Sequence, residues 1–393
     1  MILMNFKADN LYLFKDFELK LSYPKKIVNS GIAEENLENY PNFRYKKTLI
    51  VMGANATGKT RLGKVLMGIF NFIEKRESIH LTQMIEDTSK PAAFTIDIVL
   101  NDEKNRSDYC LYRIETKVAA KSKPEYLSSD IQSIVKFTTI GHKDNYEKCA
   151  ERLNNDKNFF VENYISELEK VPRLTWMFRY TIDDEAGNSI YTPVNEVRYC
   201  SILKTVLKAL DPRIDRVQKV KNTQNTFVVS YSDNGRTLVV SGNKVVSEGF
   251  SSGTKECIGV AQIIAGIKAG GYNFFYCDEK FSHVHSDMEK AFISILISCL
   301  KQNDQLFITT HNKEVFDMNL PRHAFVFLKR DSIDNSITCV YPDEYLKRNT
   351  DSLKNAVDND VFGTSPDIDT LFESPVLLSS AECSAFTLWR SKK

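Results

Sequence analysis

Little in this chain of 393 residues is one-sided: 52 lysines and arginines face 51 aspartates and glutamates, a formal balance of +1. That near-neutrality excludes a global field for attracting nucleic acid, so any phosphate contact must come from a local patch. The eight cysteines (Cys110, Cys149, Cys200, Cys257, Cys277, Cys299, Cys339 and Cys383) are scattered without a Cys-x-x-Cys pair. This argues against a structural zinc site and a disulfide framework, and predicts reduced thiols. No apolar run approaches the roughly 20 residues that cross a bilayer, and the opening MILMNFKADN meets a lysine too early for a signal-peptide core. A soluble, cytoplasmic protein without membrane contact is expected. No heptad pattern persists for about three heptads, which excludes a long coiled coil, and neither internal repeats nor low-complexity segments are present.

What remains is a chain that is 42% hydrophobic and 26% charged, long enough for a core domain with an inserted or appended subdomain. Residues 2–6 and 17–23 read as strands, and 25–43 as a polar loop. Residues 47–52 form a short buried-strand pattern, followed at 60–74 by apolar residues at helical spacing: Leu62, Val65, Leu66, Ile69, Phe70 and Ile73. Residues 94–100 and 109–116 suggest an antiparallel hairpin. Between 120 and 222 two helix-like stretches, 145–170 and 196–210, flank a possible strand at 174–182. An alternating meander occupies 226–246, with turns at Asp233-Asn234-Gly235 and Ser241-Gly242-Asn243. The last third alternates helix and strand. The expected fold is α/β, with an N-terminal lobe (1–119), an inserted and mainly helical subdomain (120–222), a C-terminal lobe (223–345) and a helical or turn-like tail (346–393).

Chemistry concentrates at a few sites. Gly53, Ala54, Asn55, Ala56, Thr57, Gly58, Lys59 and Thr60 satisfy G-x-x-x-x-G-K-[ST] between a strand and a helix. In that context the glycines allow a tight loop whose amides converge on phosphate, and the helix directs its positive end at the same anion. Lys59 would neutralise the β- and γ-phosphates, Thr60 would bind Mg²⁺, and Arg61 extends the candidate site. The plainer alternative is a strand-to-helix turn with a chance lysine. In NFFYCDEK, Asp278 ends an apolar strand where it can reach Mg²⁺, and Glu279 follows as a candidate general base; paired acids after a strand are otherwise solvated loop charges. In GFSSGTKE, Ser251, Ser252 and Gly253 precede a helix and could address an anion, or simply cap that helix.

Taken with VHSD and FITTHN, these motifs resemble the ABC ATPases of the SMC and RecF type, closest to the compact AAA-family ATPases of the OLD-like, abortive-infection and anti-phage group. The resemblance runs to about residue 340. It implies a P-loop ABC-type head with a mixed central sheet and an N-terminal antiparallel β-subdomain. It implies that His311 contacts the γ-phosphate or the attacking water, and that Ser251 and Gly253 close over ATP held by another copy, giving a homodimer or higher homo-oligomer. It also implies slow ATP hydrolysis in a nucleotide-dependent switch or assembly platform, as the sensing subunit of a defence system that controls a separate nuclease or toxin. Departures are the absence of an identifiable Q-loop glutamine (Gln83 and Gln132 do not fit) and the residues Ser252 and Thr254 in the signature. A DNA-clamping repair or recombination ATPase and a non-catalytic scaffold are the competing readings. His283 and His285 have chelate spacing but no companion ligands, and interface packing is preferred. The basic run Lys204, Lys208, Arg213, Arg216, Lys219 and Lys221 reads as a solvated face or a phosphate contact.

Overall fold

The computed structural model describes residues 1–27, 30–101, 109–156, 161, 163–180, 187–188, 196–221, 223, 226–232, 237–241, 244–245, 252–279, 285–348 and 351–365. The chain opens with β1 (Ile2–Asp9) and β2 (Phe17–Lys20), then a small ribbon of β3 (Asn36–Leu37) and β4 (Tyr40–Arg44) where a plain loop is expected. β5 (Thr48–Met52) is buried at every position, the mark of a parallel strand covered on both faces. It feeds α1 (Lys59–Lys75), which buries Leu62, Val65, Leu66, Ile69, Phe70 and Ile73, the stripe that the spacing predicts. α2 (Ile79–Thr82) leads to the long strands β6 (Ala92–Asn101), β7 (Tyr109–Val118) and β8 (Ile131–Thr139).

α3 (Tyr146–Asn155) and α4 (Tyr164–Leu168) follow, each opened by an asparagine side chain that accepts a backbone N–H, from Lys148 and Ser166 respectively. Next come β9 (Trp176–Arg179), β10 (Gly187–Asn188), α5 (Glu196–Leu210), and the strands β11 (Ile214–Lys219), β12 (Thr226–Tyr231), β13 (Thr237–Ser241) and β14 (Lys244–Val245). The final third holds α6 (Ser252–Ala269), β15 (Phe274–Asp278), α7 (Ser286–Cys299), β16 (Gln305–Thr309), β17 (Phe325–Arg330), β18 (Ile337–Val340), α8 (Pro342–Tyr345) and α9 (Leu353–Asp358).

Two sheets frame the molecule. The antiparallel N-terminal sheet runs β2-β1-β6-β7-β8, and the mixed central sheet runs β10-β9-β15-β16-β5-β17-β18. Within the latter, β9, β15, β16, β5 and β17 are parallel. Helix α1 fills the space between the sheets, joining Phe6, Phe94 and Ile96 on one side to Val51, Phe178 and Phe274 on the other. The far face of the central sheet, including Ile50, Phe275 and Ile308, is covered by Ile263, Ile264 and Ile267 of α6 and Phe292, Ile293 and Leu296 of α7. The meander β11-β12-β13-β14 packs through Phe227, Val229 and Tyr231 on α5 and α6.

The stretch 120–222 is expected as a mainly helical insertion. It carries α3, α4 and α5, but its strands join three different sheets: β8 the N-terminal sheet, β9 and β10 the central sheet, and β11 the meander. Periodicity reports which residues face a core, whereas a strand's partner can be distant. Trp176–Arg179 pairs with Phe274–Cys277, about a hundred residues further on.

At the amino edge of β5 the ammonium of buried Lys46 lies 4.1 Å from the centroid of the Tyr341 ring, and burial pulls its pKa down to about 8. The unfolded chain keeps that proton up to about pH 10. Between these values the unfolded state binds more protons, so stability rises with pH. Lys46→Met is therefore expected to gain about 1–2 kcal/mol at pH 7, after losing about 1 kcal/mol of contact with Tyr341. The gain should fade toward pH 10. Thermal melts across that range decide it, and no gain at pH 7 would refute the argument.

Candidate nucleotide site

At the carboxyl edge of the central sheet, β5 breaks into the loop Gly53–Gly58. Gly53 has φ 151°, and a Cβ there would stand 2.7 Å from the Leu328 carbonyl on β17, so only glycine lets the loop leave the strand at this angle. Gly58, with φ 94°, caps α1 in the left-handed region, and a Cβ would strike Ile337. The loop is tightened by the Thr57 hydroxyl, which donates to the Ala54 carbonyl at 2.8 Å. Asn55 and Ala56 form its exposed tip.

Lys59 is buried, and its Nζ donates to the carbonyls of Gly53 (2.9 Å) and Ala54 (3.1 Å) while lying 3.3 Å from Glu279 Oε1. Thr60, one residue into the helix, donates its hydroxyl to Asp278 Oδ2 at 2.7 Å. The helix is pinned to the strand that carries this acid, because the buried Tyr276 hydroxyl donates to the Lys59 carbonyl at 2.7 Å. Burial, with Asp278 nearby, pushes that phenol well above its usual range.

Between β5 and β15 lies β16, so the candidate metal-holding carboxylate stands one strand removed from the loop-bearing strand. Register explains how Asp278 still reaches the loop: Asp278 pairs with Thr309, and Thr309 pairs with Val51, so three strands end at one level. Thr309, fully buried, links the acids. Its hydroxyl donates to Asp278 Oδ1 at 2.7 Å and accepts the Glu279 N–H at 2.9 Å. Glu279 adopts φ 43°, a left-handed conformation that costs a non-glycine residue about 1 kcal/mol or more. The hydrogen bond that its N–H donates to Thr309 holds it there. His311, two residues past the end of β16, brings Nδ1 to 3.9 Å from Glu279 Oε1, with its side chain 56% exposed.

Lys59, Thr60, Asp278, Glu279 and His311 thus meet at one place. The guanidinium of Arg61 lies 4.7 Å above the centroid of the Tyr12 ring, in the turn between β1 and β2. Nothing in the sequence pattern singles out Tyr12. Its signal is only an aromatic residue in a polar turn. Thr309, Thr310 and Asn312 were legible as the string TTHN, but without roles. Ser251 and His283 lie outside the described residues. Ser252 and Gly253 begin α6, whose principal neighbours are α5, α7 and β9, so the signature and the phosphate loop stand on different elements. His285 caps α7, its Nδ1 accepting the Asp287 N–H at 3.3 Å. Lys208 and Arg216 are exposed on α5 and on β11, an edge strand, whereas Arg213 is paired with Asp211 at 2.8 Å.

The donor set fits Mg²⁺. A hydroxyl and a buried carboxylate 2.7 Å apart at a phosphate loop are hard oxygen ligands that leave positions for phosphate and water. Among the described residues no group of three or more His, Cys, Asp or Glu side chains could hold a metal alone. No helix among the described residues is long and apolar enough to cross a membrane.

No family model matches the chain, and no curated protein matches it. Solved SMC head domains align with this chain over most of its length. One, bound to the C-terminal winged-helix domain of ScpA, aligns at 11% identity with a TM-score of 0.49, covering 88% of this chain and 100% of that one. The head domain from Thermotoga maritima aligns at 12% and 0.41, covering 87% and 99%. The Smc head from Pyrococcus furiosus, with an extended coiled coil and bound to the C-terminal domain of ScpA, aligns at 12% and 0.45, covering 92% and 99%.

Proposed function

We propose that this chain binds Mg²⁺–ATP and hydrolyses it slowly as a nucleotide-dependent switch. The observation that carries the reading is the closed set of contacts at the carboxyl edge: Thr60 to Asp278 and Asp278 to Thr309, each at 2.7 Å, with Lys59 and Glu279 3.3 Å apart beside them. Loop amides from Gly53 to Gly58 and the start of α1 would receive the phosphates, with Lys59 leaving the loop carbonyls to meet them. Thr60 and Asp278 would hold the Mg²⁺, which when bound neutralises charge on the phosphate oxygens. Glu279, backbone-fixed by Thr309, is placed to accept the proton of the attacking water, and His311 to orient that water. The Tyr12–Arg61 pair offers a flat surface for the base.

In this proposal the serine-glycine corner at the start of α6 acts on the nucleotide of a second copy, so that ATP stabilises a homodimer. The setting, a regulatory subunit that restrains or releases a nuclease or toxin in anti-phage defence, rests on the motif resemblance alone.

Titration calorimetry with ATP and Mg²⁺ tests the site. Lys59→Ala is expected to weaken binding about 10- to 100-fold, the worth of a charge-assisted contact to phosphate. Binding as tight as that of the parent would remove the basis for this reading.

A further inference from the structure

Just behind the site lies a carboxylate that no step above uses. Glu289, in the first turn of α7, is 3% exposed, and its two oxygens take two different donors: Oε1 accepts the Thr310 hydroxyl at 2.7 Å, and Oε2 accepts the Asn312 amide Nδ2 at 2.6 Å. These residues flank His311. We propose that Glu289 is a positioning residue that fixes the His311 turn to α7, so that the placement of this helix sets where the imidazole stands relative to Glu279. The inference rests on the reading of Glu279 and His311 as the groups that handle water.

Three further contacts make the turn and the helix one unit. The Thr310 hydroxyl also accepts the Asn312 N–H at 3.0 Å, closing the turn around His311. The Thr310 N–H donates to the Val51 carbonyl at 3.2 Å, tying the turn to the strand that enters the phosphate loop. Lys290, next to Glu289, bridges Asp287 on α7 (3.0 Å) and Glu314 beyond the turn (3.4 Å). His311 itself is more than half exposed, so its direction derives from the residues on either side rather than from packing. An ionised carboxylate suits this task, because both of its oxygens accept, and charge-assisted bonds are about twice as strong as neutral ones.

Glu289→Gln keeps the shape but offers a donor where one acceptor stood. Asn312 cannot simply flip to compensate, since its Oδ1 already accepts the Glu314 N–H at 2.9 Å. Steady-state turnover of the full chain should show kcat lowered about 10- to 100-fold, the cost of misplacing a reacting group by about 1 Å, with the affinity for ATP unchanged. The double variant Glu289→Gln/His311→Ala should be no slower than His311→Ala alone, because both remove the same contribution. Unchanged kcat, or effects of the two substitutions that multiply, would overturn the proposal. If Glu289→Gln does not fold, Thr310→Val removes the same bond from the other side and carries the same expectations. The ring ¹⁵N resonances of His311, assigned by their loss in His311→Ala, give a readout independent of turnover. They should shift in Glu289→Gln, and resonances that stay in place would sink the positioning role even in a protein that hydrolyses no ATP. Absence of turnover in the parent would count against the ATPase reading and leave the resonance measurement to decide on Glu289.

Discussion

Glu279→Gln is expected to lower ATP turnover by about 10³-fold, within the range a positioned general base contributes, and to leave binding intact or tighter. The turnover loss follows from placement. The Glu279 carboxylate stands between Lys59, at 3.3 Å, and His311, at 3.9 Å, on a backbone that Thr309 holds in a left-handed conformation. A glutamine in that place fills the same volume but has no basic oxygen to take a proton from water. The direction of the binding change follows from charge. Lys59 must turn from the loop carbonyls and from Glu279 toward phosphate, and removing the negative partner makes that turn cheaper. A burst assay for turnover and light scattering with and without ATP measure both effects. The expected picture is a long-lived ATP-bound assembly, larger than the nucleotide-free chain. Turnover like that of the parent would remove Glu279 from the chemistry. Turnover in both proteins no faster than that of ATP without protein would favour a scaffold in which ATP is structural.

The candidate site was legible because its motifs are local. A phosphate loop needs a strand, glycines at two fixed positions and a helix, and all of these lie within residues 48–75. The acids Asp278 and Glu279 could be read because an apolar strand ends on them. What a string of residues does not state is which strand stands beside which. Thr309 has no marked feature in the sequence, yet β16 sits between β5 and β15, and its hydroxyl links the two acids. Glu289 was invisible for the same reason: its acceptor role depends on α7 packing beside the end of β16, and in the sequence it is one charge on an amphipathic helix.

The fold divides similarly. Helix α1 and strand β5 declared themselves through opposite patterns, a 3.6-residue stripe and an unbroken apolar run. The hairpin β6–β7 did so through length and alternation around a polar turn. By contrast β8, β9 and β11 end up in three different sheets. Their destinations are fixed by partners far along the chain, and no local pattern encodes them.

The long hairpin also carries the largest expected effect on stability. Asp97 on β6 and Arg113 on β7 stand directly opposite each other, and the guanidinium grips the fully buried carboxylate through Nε at 2.7 Å and Nη2 at 2.6 Å. Tyr146 of α3 adds a third donor to Asp97 at 2.6 Å, and Asn154 of the same helix accepts from Arg113. The pair is therefore what fastens α3 to the outer face of the sheet, beside the apolar contacts of Cys149 and Leu153. Asp97→Leu would leave a guanidinium buried without its carboxylate, which costs about 3–5 kcal/mol. Asp97→Leu/Arg113→Met replaces both charges with apolar side chains and should recover most of that loss, short of about 1 kcal/mol for the Tyr146 hydroxyl left without its acceptor. Urea denaturation of the three proteins separates the cases. A single variant as stable as the parent would show that the charge is not confined, and a double variant no better than the single would show that α3 is held by the hydrogen bonds and not by the avoidance of an unpaired charge.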